Sequence, residues 1–207
     1  MNAIKAYTQI YGDIDGQEIL NKIERCGRVC YKSEGKIEEG SAERFVANLI
    51  KRGHEAVLEH ASITVKFVVD RGVSHELVRH RLASYCQEST RYCNYANEDF
   101  NSEITFIIPE YLDYKSEAWS KWKETMKVCE DAYFKMLDFG FSPQEARAVL
   151  PNSLKTEVIM TANLREWRLF FKLRTANAAH PQMREVTRPL LDDLKELVPV
   201  VFDDIKY

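Results

Sequence analysis

The chain has 207 residues, 45% hydrophobic and 29% charged, with 29 Lys and Arg set against 32 Asp and Glu. That length buries one sizeable core and favours a single domain spanning 1–207. A formal charge of -3 and a pI near 6.0 exclude broad nucleic-acid binding, which needs a large basic surface, so any basic site has to be local.

No run approaches the ~20 apolar residues that span a bilayer, and "MNAIKAYTQIYGDIDG" lacks the apolar core of a signal peptide. The expectation is a cytoplasmic protein with no membrane partner. The five cysteines (Cys26, Cys30, Cys86, Cys93, Cys129) are scattered and form no C-x-x-C pair, which fits free thiols in a reducing compartment.

In chain order, "AIKAYTQIY" predicts a first strand. Ile19, Leu20, Ile23 and Cys26 recur at helical period in "GQEILNKIERCGRVCY". "SAERFVANLIKRGH" predicts a helix capped by Ser41 and ending near Gly53. The β-branched run "ASITVKFVVD" predicts a strand, and "GVSHELVRHRLA" a helix capped by Ser74. "SYCQESTRYCNY" is irregular or short extended structure, and "ITFIIP" is a strand closed by Pro109. "KSEAWSKWKETMKVCEDAYFKMLDFG" is a long amphipathic helix ending at Gly140. "SPQEARAVLP" is a short one, with a Ser cap, Pro143 at its first position and a stop at Pro151. "LKTEVIMTAN" predicts a strand, followed by helices over "LREWRLFFKLRTANAA" and "PQMREVTRPLLDDLKELV". Strands and helices mix without strict βαβ alternation, so the fold class is α+β, a mixed sheet with flanking helices.

"HEAVLEH" and "HELVRH" miss the H-E-x-x-H spacing of a zinc protease, because Leu58 and Arg79 stand where the second His belongs; no metal is expected. There is no G-x-S-x-G elbow and no Gly-rich phosphate loop. What remains is "RHRLASYCQESTRY", Arg79 to Tyr92, with Arg71 just upstream. Glu76, Arg79 and His80 share a face if the helix continues, and Ser89 and Arg91 alternate to one side if their stretch is extended. Arginine suits bidentate phosphate contacts, and a carboxylate such as Glu76 suits a sugar hydroxyl. An anion site is one reading; Arg79 and Arg81 pairing with Glu76 and Glu88 on a wet surface is the other.

Arg79-His80-Arg81, seven residues and then Ser89 is similar to the motif of the flavin-dependent thymidylate synthases. Further segments resemble that family in order: "GHEAVLEH", "RGVSHELVRHR", "SYCQESTRY", "EARAVLP", "NLREW" and "FFKLRTANAAHPQMRE". The resemblance implies reductive methylation of dUMP to dTMP. The carbon would come from 5,10-methylenetetrahydrofolate, with noncovalent FAD reduced by NADPH as hydride source. It implies no cysteine nucleophile, and a homotetramer with active sites shared between chains. Carried over, Arg71, Glu76, Arg79, Gln87, Glu88, Ser89, Thr90, Arg91, Arg147 and Arg174 would hold dUMP. Ala56, Arg79, His80, Arg81, Gln87, Asn163, Arg165 and His180 would hold FAD. Arg174 and His54 would be catalytic, His54 as a polar group on the folate or flavin side. Three positions depart from the pattern: Ala56 replaces Ser or Thr, Leu169 replaces a polar residue, and the Arg174-to-His180 interval is two residues longer than in many relatives. Two competing readings are an inactive nucleotide- or FAD-binding protein of the same fold, and a small RNA-binding protein stacking bases on Tyr85, Tyr92 and Tyr95, which lacks net basicity.

Overall fold

The computed structural model describes residues 1–97 and 103–207. In chain order the elements are β1 (Asn2–Ile4), β2 (Tyr7–Tyr11), α1 (Gly16–Val29), α2 (Ser41–Lys51), a 3-10 helix at Glu55–His60, β3 (Ser62–Asp70) and α3 (Arg71–Leu77). Then follow β4 (Ala83–Gln87), β5 (Thr105–Ile107), α4 (Glu117–Asp138), α5 (Pro143–Ala146), β6 (Lys155–Asn163), α6 (Leu164–Arg174), α7 (Pro181–Leu197) and α8 (Pro199–Phe202). One sheet runs in the order β2-β3-β6-β4; β1 and β5 pair in parallel as a second, with Asn2 opposite Thr105. The class is α+β, as the mixed pattern predicts.

Two compact units partition the chain. The first holds Met1–Tyr7, Phe67–Arg79 and Tyr85–Ile159; the second holds Thr8–Lys66, His80–Ser84 and Met160–Tyr207. The core of the first gathers Tyr95, Ile104, Phe106, Met126, Tyr133, Ala146 and Leu154. Glu130 is buried beside it on α4, where its carboxylate accepts from Ile104 N at 2.9 Å and from the amino terminus at 3.1 Å. The core of the second is aromatic: Trp167 stacks on Phe171 (5.6 Å between centroids), and Phe202 meets Phe171 edge-on at 5.8 Å. Burying each of these side chains contributes about 1.5–3 kcal/mol. Here α1 and α2 approach so closely that a Cβ at Gly27 would stand 2.6 Å from the Phe45 ring.

The alternating burial of β6 is the period of a half-buried strand and turns Thr156, Val158, Met160 and Ala162 inward. The Ser142 cap and Pro143 at the first position of α5 are as the sequence predicts, and Glu145 completes a capping box, bonded reciprocally with Ser142.

Several expected boundaries are corrected. The first strand is two short ones, β1 and β2. Gly40, at φ +69°, caps α2; Ser41 instead donates to the buried Glu24 carboxylate at 2.7 Å. Asp70, not Ser74, caps α3, accepting from Val73 N at 2.8 Å. That helix ends at Leu77, whose carbonyl accepts from Tyr85 Oη at 2.8 Å, so His80 does not continue the face of Glu76 and Arg79. Ser89 to Cys93 is a turn, with Tyr92 N and Cys93 N both bonded to the Ser89 carbonyl, so Ser89 and Arg91 do not alternate along a strand. Finally, α6 stops at Arg174 because α7 side chains take its last carbonyls: Thr187 donates to Arg174 O at 3.0 Å and Arg188 to Thr175 O at 3.1 Å.

Candidate functional site

In the first unit a polar cluster grows from the junction of β3, α3 and β6. Ser74 donates to the Arg71 carbonyl (2.9 Å) and accepts from Gln87 Nε2 at 3.0 Å. Thr156, 1% exposed, offers its hydroxyl oxygen to Arg71 Nη1 at 3.3 Å and to Gln87 Nε2 at 3.4 Å. Arg71, His75, Thr90 and Arg147 then line a pocket of about 260 Å³, walled by Ala148, Leu150, Pro151, Asn152 and Leu154. Arg147 donates to the buried Thr90 hydroxyl at 2.9 Å. Two guanidinium groups facing one small cavity suit an anion of phosphate size.

The other predicted residues of this unit are placed as follows. The Glu88 carboxylate is taken by Lys155 at 3.0 Å and Tyr95 Oη at 3.3 Å. Burial pulls the Lys155 ammonium down, but Glu157 and Glu88 outweigh it and hold it above its usual range. Burial, then Glu88, pushes the Tyr95 phenol up. Ser89 Oγ accepts from Arg91 N at 3.3 Å, and the Arg91 guanidinium lies 5.4 Å from the Tyr92 ring centroid. Glu76 is half-buried on α3, and Arg79 is exposed just after it.

The second unit holds the remaining predicted residues around α6. Asn163 caps the helix, accepting from Glu166 N at 2.9 Å. A pocket of about 420 Å³ opens at this helix start, lined by Asn163, Arg165, Glu166, Leu169 and Lys172 of α6 and its cap, with Leu82, Glu55 and Glu59 opposite. Arg165 pairs with Glu59 at 2.6 Å, both exposed, and Glu55 is neutralised by buried Arg168 at 3.1 Å. His80, 6% exposed, lies between Glu166 Oε1 (3.0 Å from Nδ1) and Arg174 Nε (3.1 Å from Nε2). Burial first pushes the His80 imidazole below its ordinary range; Arg174 pushes the same way and Glu166 opposes.

Arg81 and Ala56 are exposed, as is His54, whose backbone N–H closes α2 onto the Leu49 carbonyl at 2.9 Å. His180 caps α7, its Nδ1 accepting from Gln182 N at 3.3 Å. Sequence reasoning missed Ser74 as a partner of Gln87, and with it Thr156, Glu166 and Lys172. For Thr156 the usable signal is its inward register on β6. The Glu166 contact joins positions 86 residues apart, and local pattern carries no trace of that. A larger pocket of about 630 Å³, walled by Gln17, Asn21 and Arg25 of α1 and by Glu38 to Gly40, contains none of the predicted residues. No helix among the described residues is long and apolar enough to cross a membrane.

Comparison with known proteins adds independent evidence. Residues 15–200 match the family described as thymidylate synthase complementing protein. The chain is 38% identical over 160 residues to the flavin-dependent thymidylate synthase of Pyrococcus furiosus, covering 77% of this chain and 65% of that one, just under two thirds. It is 39% identical over 170 residues to the Pyrococcus horikoshii protein of that name (80% and 69% covered) and 34% identical over 184 residues to that of Geobacter sulfurreducens (86% and 78%). Among solved structures, a UMP/dUMP methylase from Streptomyces cacaoi bound with 5-Br dUMP has the same fold, with TM-score 0.79 and 23% identity over 98% of this chain and 96% of that one.

Proposed function

The chain belongs to the flavin-dependent thymidylate synthase family, and from that premise we propose that it converts dUMP to dTMP, with 5,10-methylenetetrahydrofolate as carbon donor and NADPH as reductant. The observation that carries the substrate assignment is the pocket where Arg71 and Arg147 converge with Thr90. In this reading those residues, with Ser89 and Arg91, bind the nucleotide phosphate. Glu76, Arg79, Gln87 and Glu88 serve its sugar and base.

The donor set at the start of α6 suits FAD. Arg165 and Lys172 supply positive charge for a diphosphate, and Leu82 and Leu169 an apolar wall. The Arg165–Glu59 pair is exposed and worth at most about 1 kcal/mol, so a diphosphate displaces Glu59 at small cost. Asn163, Arg165 and Arg81 would hold the cofactor, with Ala56, Arg79, Gln87 and His180 as further contacts; His80, whose two ring nitrogens are engaged by Glu166 and Arg174, would meet it only through other atoms. When bound, FAD supplies the hydride that lets the folate leave as tetrahydrofolate.

Arg174 has the catalytic role in this reading. Uracil C5 is a poor nucleophile, and loss of the N3 proton spreads negative charge over O4, N3 and O2 and raises electron density at C5. An arginine stays protonated, so it is no base; it stabilises the developing anion, and a preorganised cation in a dry site is worth several kcal/mol. His54 is the proposed polar group on the folate or flavin side. A cytoplasmic homotetramer with shared active sites completes the proposal.

The test is direct. Purified protein given FAD, dUMP, methylenetetrahydrofolate and NADPH should be yellow and form dTMP, detected by chromatography. Binding of dUMP and flavin without any dTMP would instead support the inactive nucleotide-binding reading.

A further inference from the structure

Building on that reading of Arg174, we infer that Glu166 is a positioning residue that acts through His80. Its carboxylate fixes which imidazole nitrogen carries the proton, and the imidazole in turn holds the Arg174 guanidinium.

Donors and acceptors fix the arrangement. Arginine Nε always carries hydrogen and has no lone pair to offer. Arg174 Nε lies 3.1 Å from His80 Nε2, so Nε2 has to present its lone pair. A neutral ring then carries its proton on Nδ1, which faces Glu166 Oε1 at 3.0 Å. A carboxylate only accepts, and therefore selects that tautomer. The opposite tautomer sets N–H against N–H at Arg174 and lone pair against carboxylate at Glu166. Both side chains are buried, His80 at 5% exposure and Glu166 at 4%, so water replaces neither contact cheaply.

The three groups are also held from outside. Phe170 meets the His80 ring edge-on, 5.0 Å between centroids at 74°, which fixes the ring plane. Asn163 accepts from Glu166 N at 2.9 Å and locks the first turn of α6. Thr187 holds the Arg174 carbonyl at 3.0 Å, anchoring the other end of that helix. One helix thus carries both the carboxylate that orients the imidazole and the guanidinium that the imidazole orients. Glu166 also lines the pocket assigned to the flavin, so its chain of contacts runs from that pocket to Arg174.

Neutron diffraction from crystals of the flavin-loaded protein reads the geometry without any turnover. The expected map has deuterium on His80 Nδ1 and none on Nε2. Deuterium on Nε2 at neutral pH would overturn the inference, whatever the activity. Kinetics test the consequence. Glu166→Gln keeps shape, but its amide can donate to Nδ1 and admits the wrong tautomer. It should slow single-turnover dTMP formation by roughly 100-fold with FAD and dUMP both saturating, so that a change in the binding of either does not enter the rate. Glu166→Asp keeps an acceptor of the right charge and should recover part of that loss. His80→Gln with Glu166→Gln should be no slower than His80→Gln alone, because the two act as one unit. A Glu166→Gln rate within twofold of the parent, or losses that multiply in the double variant, would also overturn it. If the parent forms no dTMP at all, the proposed function fails, while the neutron map still decides the tautomer.

Discussion

Arg168 tests the energetics of the second unit. It is 1% exposed on α6, and three acceptors surround it. Nε donates to Glu55 at 3.2 Å, the guanidinium grips Asp204 at 2.6 and 2.7 Å, and Nη1 also donates to the Val201 carbonyl. Arg168→Met keeps the aliphatic reach and removes every donor. The Val201 carbonyl then loses its buried partner, which costs about 1–2 kcal/mol. Asp204 is 51% exposed and rehydrates, so its loss is under about 1 kcal/mol, and Glu55, at 20%, loses about 1 kcal/mol. Methionine buries apolar surface in place of a charge and returns about 1 kcal/mol. The balance is a destabilisation of about 2 kcal/mol, or a fall in Tm of about 4–8 °C for a chain of this size.

Urea titration and calorimetry of parent and variant measure it. Asp204 supplies a second signature, because its bond from Arg168 holds its carboxyl below the usual range. That contribution is present above the unfolded pKa of about 3.9 and lost as pH falls through the lower folded value, so the acid limb of stability should flatten in Arg168→Met. Arg168→Lys should recover less than half, since an ammonium cannot span both carboxylates and a carbonyl. A variant as stable as its parent, with an unchanged acid limb, would refute this account.

Further outcomes follow from other sites. Arg147→Ala should raise the dUMP dissociation constant by about 10- to 150-fold, the loss of a charge-assisted bond of roughly 1.5–3 kcal/mol, as read by calorimetric titration; an unchanged constant would remove Arg147 from the site. His80 is held neutral with a lowered pKa, so stability should fall as pH drops below about 6.5, where the unfolded imidazole takes a proton that the folded one resists, and His80→Gln should abolish that slope in a Tm-against-pH series. Each cysteine changed singly to Ser or Ala should leave dTMP formation measurable: burial pushes the Cys93 and Cys129 thiols up, the opposite of an activated nucleophile, and total loss in one folded, flavin-loaded variant would contradict this.

The elements most legible in sequence are those whose signals are local. Ser142, Pro143 and Glu145 announce a helix start within four residues, and the β-branched run of β3 announces a strand. The helix after β3 is misjudged because its end is met by a residue outside the helix, eight positions on. Apolar period runs on past Leu77, yet Tyr85 returns to cap that carbonyl and the chain turns into β4. Ser74 misleads as a cap for a similar reason: Asp70 already satisfies the N-terminal donor, which releases Ser74 to bond Gln87. The arginines and Gln87 are visible by residue type and by resemblance. Of their partners, Thr90 is visible by resemblance, but Thr156 and Glu166 are not, because hydroxyls and acids are common and only folding selects which of them faces a guanidinium.

That selection separates two kinds of arginine. Arg28 is bonded to the buried Glu24 at 2.7 Å, and Arg168 to Asp204 and Glu55. In both, a carboxylate cancels the charge that burial would otherwise leave exposed to a low dielectric, which stabilises the fold and leaves little attraction for a ligand. The contacts that hold Arg71 and Arg147 go elsewhere: to the Thr156 hydroxyl and the Glu88 carbonyl for Arg71, and to the Thr90 hydroxyl for Arg147. A hydroxyl or carbonyl directs a guanidinium without neutralising it. The charge stays available to an incoming phosphate, and the side-chain ordering is already complete before binding. A chain of net charge -3 can therefore hold an anion, because its field at one pocket is set by which acceptors face the arginines and not by the total.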